Sequence, residues 1–280
     1  MSGIPGDEDT AWSPYPDARE ATRQAQAVAP TPQTTHNAFR LAFADEKFLT
    51  RDELRPVRLM LELMKPELLQ QEAGIRSTVV VFGSARIAPG HRWYEEARRF
   101  ARLATEAGTR AGVQDFAVVT GGGPGIMEAA NRGAAEAGGK SIGLSIVLPH
   151  EQRPNGWITP ELSFQFHYFG IRKMHFLLRA RALAVFPGGF GTFDELFETL
   201  TLVQTQKIAA IPILMFDRAW WHRAVNLDAL VEDRVISPAD LSLLTFVETA
   251  EEAIAAIAAH YGMAVPVACL DPTRPDPVKP

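Results

Sequence analysis

Residues 182–195 read Ala-Leu-Ala-Val-Phe-Pro-Gly-Gly-Phe-Gly-Thr-Phe-Asp-Glu. The five apolar residues Ala182–Phe186 run without polar alternation, the pattern of a strand buried on both faces. A proline and three glycines then break the run. Beyond them Phe193, Leu196, Phe197 and Leu200 recur at helical spacing, so a helix is predicted over Thr192–Thr205. Strand, glycine turn and helix in that order is the unit of a parallel α/β sheet.

The same unit recurs on both sides. Further buried strands are predicted at Thr78–Phe82, Phe116–Thr120, Ser141–Val147, Ile211–Phe216 and Leu244–Val247. Between them lie helix-length segments at Tyr94–Ala107, Gly125–Ala137, Gly170–Arg179 and Trp220–Val231, and an Ala-rich helix follows Thr249 to about Tyr261. The expected fold class is a parallel α/β sheet with helices on both faces. A helical extension over 37–76 precedes the main domain of 77–262, and Pro66 implies a break or kink within it. Residues 1–36 and 263–280 are Pro-rich, show little apolar period and are read as tails.

With 280 residues, of which 46% are hydrophobic and 22% charged, the chain has ample capacity for one large core. A net charge of −5 argues against a general nucleic-acid binder. The single cysteine, Cys269, excludes an intramolecular disulfide framework and a Cys-cluster zinc site. No apolar run approaches the ~18 residues that span a bilayer, and the acidic start (Asp7, Glu8, Asp9) lacks the features of a secretory signal. A cytosolic protein is expected.

In a parallel sheet ligands bind beyond the carboxyl ends of the strands, so the strand-to-helix turns hold the candidate chemistry. The first is Gly83-Ser84-Ala85-Arg86, offering a hydroxyl and a charge, although a tight turn also needs glycine. The second, Gly121-Gly122-Gly123-Pro124-Gly125-Ile126-Met127-Glu128, leaves backbone N–H groups open at a helix start, where the dipole favours an anion. Its glycines serve close strand–helix packing equally well. It fits neither the G-x-G-x-x-G dinucleotide spacing nor the Walker A pattern. The third, Pro187–Glu195, forms a second anion cradle. Here Glu195 is open to two readings, because Thr192 and Glu195 also have the S/T-x-x-E spacing of a capping box. Upstream, Arg172 and Lys173 are adjacent cations about 100° apart on a helix, so only one is expected to face a given pocket. The aromatics Phe164, Phe166 and Tyr168, with Met174, fit a pocket or a core alike. Trp220-Trp221-His222 reads as a helix anchor, and no G-x-S-x-G elbow is present.

Taken together, Gly121–Glu128 (GGGPGIME), Arg172-Lys173 and Pro187–Glu195 (PGGFGTFDE) resemble the signatures of the LONELY GUY (LOG) family. These are cytokinin riboside 5'-monophosphate phosphoribohydrolases, also described as lysine-decarboxylase-like. The resemblance spans roughly Thr78 to Val247. The segment Leu148–Asn155 and the long N-terminal region look like the longer bacterial subgroup. One departure is Met174-His175-Phe176 after Arg-Lys, where the short plant-type pattern has Glu-Met.

The resemblance implies a Rossmann-like nucleotide fold and a homodimer or hexamer. It also implies hydrolysis of a nucleoside 5'-monophosphate, such as AMP or isopentenyladenosine monophosphate, to free base and ribose 5-phosphate. The family's catalytic pair maps onto Arg172 and Glu195, and its nucleotide-binding positions onto Glu151, Lys173, Gly188, Gly189, Phe190, Gly191, Thr192 and Thr201. Ser84, Gly122, Gly123 and Met127 complete the expected substrate-binding set. No metal or cofactor is called for. A pyridoxal-dependent decarboxylase would need a Schiff-base lysine near a phosphate loop, where only Lys173 is placed. A related protein that carries a nucleotide without cleaving it is the other alternative, and the Arg–Glu pair discriminates against it.

Overall fold

The strand Thr78–Phe82 (β1) is buried at every residue, and its side chains alternate between two cores. The computed structural model describes residues 14–110, 113–149 and 153–263. The chain divides into two compact units, Met1–Leu61 and Glu62–Pro280.

In the larger unit, β1 is followed by α4 (Arg92–Gly108) and a two-residue hairpin, β2 (Thr109–Arg110) with β3 (Val113–Gln114). Then come β4 (Ala117–Thr120), α5 (Ile126–Glu136), β5 (Ser141–Ile146), β6 (Ser163–Phe166), α6 (Phe169–Leu177), β7 (Ala180–Val185) and α7 (Phe190–Gln204). The last elements are β8 (Ile213–Phe216), α8 (Arg218–Ala224), α9 (Leu227–Glu232), β9 (Leu244–Val247) and α10 (Ala250–Tyr261). Seven strands form one parallel sheet in the order β6-β5-β4-β1-β7-β8-β9. The protein is thus an α/β, Rossmann-like fold, and its strand order reverses between β1 and β7.

Period-two burial assigns the helices to faces. Val79, Val81, Val118 and Ala184 point into a core shared with α4, α5 and α10. Val80, Phe82, Val119 and Val185 point to the other, against α6, α7, α8 and the end of α3 (Arg55–Glu72). Glycine permits the closest helix contact: a Cβ at Gly133 of α5 would lie 1.9 Å from the Arg98 carbonyl of α4.

Five expectations are corrected. First, Pro66 does not break α3, which runs from Arg55 to Glu72. Proline has no N–H for the Glu62 carbonyl four residues earlier. That carbonyl is instead 3.0 Å from Nε2 of His175, a buried side chain on α6, which supplies the missing donor. Second, the strand Ser163–Phe166 escaped the sequence pattern. It is an edge strand with Phe164 and Phe166 buried in the core and Ser163 and Gln165 exposed, too short for its alternation to register. Third, the helix expected over Trp220–Val231 is two helices. Asn226 caps the second through its side chain, accepting from the Ala229 N–H at 3.2 Å. Fourth, part of the stretch read as an N-terminal tail is helical: α1 (Ala18–Gln26) is capped by Asp17, which accepts from the Glu20 N–H, and Glu20 pairs with Arg23 and Gln24. It has no buried residue, hence no apolar period to read. The fifth, the capping box, belongs to the site. The smaller unit also holds α2 (Glu46–Leu49), capped by Asp45.

No helix among the described residues is long and apolar enough to cross a membrane.

Phe216 is 0% exposed and stacks on Phe186 at 4.0 Å, with Phe100 and Trp93 against its edges. Phe216→Ala is expected to cost about 3–5 kcal/mol, read by urea unfolding. A cost below about 1 kcal/mol would show that this core collapses onto the cavity.

Candidate active site

Because β1 lies between β4 and β7, the turns after these three strands meet at one edge of the sheet. Ser84 joins them through its backbone: its N–H donates to the Pro187 carbonyl at 3.0 Å, and its carbonyl accepts from the Ile126 N–H at 3.1 Å. Gly83 and Gly125 make this approach possible. A Cβ on Gly83 would lie 2.7 Å from Ile126, and one on Gly125 would lie 2.4 Å from the Ser84 carbonyl. The three turns enclose a cleft of about 920 Å³. Its walls are Ser84, Arg86, Gly121, Met127, Phe169 and Arg172 on one side, and Gly188–Glu195 with Trp220 on the other.

Helix α7 opens at the cleft with Gly189 as its N-cap and no side-chain cap. The first amides of the helix therefore point at the space where an anion would sit. Gly188 is pinned against the next turn, since a Cβ there would meet Thr192 Oγ1 at 2.1 Å. Thr192 and Glu195 lie inside the helix, so the capping-box reading of this pair does not hold; the helix starts earlier than the apolar stripe predicted, because Gly189 rather than Thr192 ends the turn. One helical turn apart, both side chains are buried and both line the cleft.

Glu195 is 8% exposed, and its carboxylate makes no hydrogen bond or ion pair with any described residue. Burial pushes its pKa from an ordinary 4.5 up to about 7; the Arg172 and Lys173 charges pull it down, and Glu198 and Asp194 push it further up. Desolvation wins because neither cation makes contact with it.

Arg172 of α6 is held by four surfaces, one of them the Phe169 ring, 5.9 Å from its guanidinium carbon. Its Nε donates to the Leu144 carbonyl at 2.7 Å, its guanidinium lies over the ring of Phe176 at 5.1 Å, and its Nη2 is 2.8 Å from where a Gly121 Cβ would stand. Burial lowers its pKa, against the opposing pull of Glu195. Its charge is thus aimed at the cleft, with no ion-pair partner among the described residues.

Not every expected position gathers here. Ser84, Met127, Gly188, Gly189, Phe190, Gly191 and Thr192 line the cleft with Arg172 and Glu195. Gly122 and Gly123 do not: Gly122, at φ +78°, faces Ser145 and Ile158, and the carbonyls of both glycines are taken by Asn155. The neighbouring Gly121 takes their place. Lys173 is turned away, bridging Asp194 at 2.7 Å and Glu198 at 3.0 Å. With Thr201 it lines an adjoining groove of about 530 Å³, as the 100° between neighbouring helical positions requires. Glu151 lies outside the described residues. Phe164 and Phe166 belong to the core, Trp221 anchors α8, and Trp220 lines the cleft. Sequence reasoning missed Phe169 and Trp220 as cleft residues, and within the second turn it chose Gly122 and Gly123 over Gly121. The available signal was position, since each stands at or just after the carboxyl end of a strand. Among the described residues no His, Cys, Asp or Glu cluster could hold a metal ion.

The class this defines is an α/β Rossmann-like protein with its cleft at the topological switch. The family model described as "Possible lysine decarboxylase" matches residues 127–257, which include Arg172 and the glycine turn through Glu195. Over those residues the chain is similar to this lysine-decarboxylase-like family. Among solved structures it is similar to the X-ray structure of TM1055, a structural-genomics target, at 21% identity and a TM-score of 0.48, covering 65% of this chain and 99% of that one. It is also similar to the molybdenum cofactor carrier protein of Chlamydomonas reinhardtii, at 19% identity and a TM-score of 0.45, over 67% of this chain and 99% of that one. No curated protein matches the sequence.

A carboxyl with a raised native pKa binds its proton more tightly folded than unfolded, so its contribution is full below 4.5 and lost as pH rises through about 7. Urea unfolding of wild type and Glu195→Gln should therefore diverge with pH: the variant gains on the order of 3 kcal/mol relative to wild type between pH 4 and pH 8. Parallel pH profiles would show that the carboxyl is not desolvated.

Proposed function

We propose that the protein hydrolyses the N-glycosidic bond of nucleoside 5'-monophosphates, AMP or cytokinin riboside monophosphates, to free base and ribose 5-phosphate. The observation that carries this reading is Glu195: a buried carboxylate with no partner among the described residues, on the same cleft as Arg172, which has no ion-pair partner among them, and one turn below an uncapped helix N-terminus. The resemblance of the glycine turns and of Arg172-Lys173 to the LOG signatures supports the same class of reaction.

Cleavage of an N-glycosidic bond develops positive charge on the sugar and negative charge on the base. With the phosphate on the α7 amides, its binding energy would orient the sugar toward Glu195 without touching the reacting bond. Ionised Glu195 stabilises the oxocarbenium-like carbon and takes a proton from the attacking water. The water oxygen bonds to C1', the C1'–N bond breaks with its electron pair leaving on the base, and the free base is completed by a proton from solvent, to which Glu195 returns the one it took. Arg172 meets the negative charge that accumulates on the departing ring. Phe169, Trp220 and Met127 offer flat or apolar surface to that ring.

The reading includes a homodimer or hexamer; the exposed Phe190, Phe169, Met174 and Leu178 leave apolar surface for a second copy.

The test is incubation with AMP and with isopentenyladenosine monophosphate, scoring free base by chromatography. Wild type is expected to release base, and Arg172→Ala and Glu195→Ala to lose about 10²–10⁴-fold. Since the ionised carboxylate acts, kcat/KM should fall with decreasing pH below about 7. Tight binding of AMP with no base release would instead identify a nucleotide carrier.

A further inference from the structure

Behind Gly121, on the side of the turn away from the cleft, lies a set of polar groups that the proposed chemistry does not use. Thr120, fully buried at the end of β4, donates through Oγ1 to Asn131 Oδ1 at 2.8 Å and accepts from the Gly122 N–H at 3.0 Å. Asn131, fully buried on α5, accepts a second bond from Asn155 Nδ2 at 2.9 Å, and its own amide faces the Ile142 carbonyl of β5 at 3.4 Å. Asn155 Nδ2 also reaches the Gly123 and Gly122 carbonyls at 3.0 and 3.2 Å, while its backbone N–H donates to Gly122 O at 2.9 Å.

The arrangement has a physical reason. Gly122 sits at φ +78°, so its peptide has left the strand ladder and needs side chains to satisfy it. A strand end, a helix and a distant loop supply them. The consequence is felt on the other side of the turn. Gly121 is a surface against which the Arg172 guanidinium rests, and apart from it Arg172 has one hydrogen bond and the ring faces of Phe176 and Phe169. Movement of the turn is therefore passed directly to the charge.

We infer that Thr120, Asn131 and Asn155 form a positioning network which, through Gly121, sets the Arg172 guanidinium relative to Glu195 across the cleft. None of the three lines the cleft; they act through the turn. The inference rests on reading Arg172 as the group that meets the leaving base. A merely structural network would lower stability and leave the two steps of turnover, binding and chemistry, equally affected.

Thr120→Val removes the hydroxyl at nearly constant volume, and Thr120→Ser keeps it. In a base-release assay with AMP, Thr120→Val is expected to lower kcat about 10–100-fold while KM stays within about threefold; Thr120→Ser should stay within about threefold of wild type in both. Gly121→Ala, which presses a methyl on Arg172 and on Met127 from the cleft side, should likewise lower kcat. A readout independent of activity is the titration of the Glu195 carboxyl by carbon NMR: as Arg172 is displaced, its midpoint rises in Thr120→Val and Gly121→Ala and stays in place in Thr120→Ser. Should Thr120→Val fail to fold, Asn155→Ala, at a half-exposed position, carries the same comparison. Wild-type kcat and an unmoved titration in the folded variants would overturn the proposal, as would equal losses in the Val and Ser variants. If wild type releases no base from any nucleotide, the catalytic reading fails by itself, and the carboxyl titrations still decide whether the network positions Arg172.

Discussion

The peptide of Ser84 holds the cleft together. It gives its N–H to the turn after β7 and its carbonyl to the first amide of α5, so two glycine turns from opposite halves of the sheet are tied to one residue. Backbone donors and acceptors at a sheet edge have no ladder to satisfy them, and water or another chain segment must do so. Here each turn satisfies the other. The glycines at 83 and 125 follow from that constraint, because a Cβ at either would stand within 3 Å of an atom of the facing turn. The cleft opens where the three turns diverge.

Within that frame the electrostatics are set by what does not touch. Lys173 is drawn off by Asp194 and Glu198, and Arg172 is held by a carbonyl and two ring faces, so Glu195 has no cation in contact among the described residues. Removal from water then outweighs the attraction of both charges. A salt bridge between Arg172 and Glu195 would have stabilised both ions and left neither free for a ligand. Their separation keeps one group able to meet positive charge and the other negative charge.

Two polar side chains of the interior supply backbone pairing that the local chain cannot. His175 replaces the donor that Pro66 lacks, which lets α3 run through a proline. Asn131 is shared between Thr120 and Asn155. In both places a side chain from another element repairs a defect in local backbone pairing, a long-range solution to a local problem.

That distinction separates what could be read in the sequence from what could not. Continuous apolar runs and helical stripes are local, and they identified six of the seven sheet strands and most helices; the glycine turns were legible because glycine marks special backbone, whereas the pairing of Arg172 with Glu195 came from the family resemblance. Neighbours along the chain were beyond its reach. That Gly121 rather than Gly122 and Gly123 faces the cleft, that Arg172 turns in while Lys173 turns out, and that Thr192 sits inside a helix rather than capping it depend on how β1 pairs between β4 and β7. Side-chain direction within a turn is decided by the elements packed on either side, and only the assembled sheet brings those elements together.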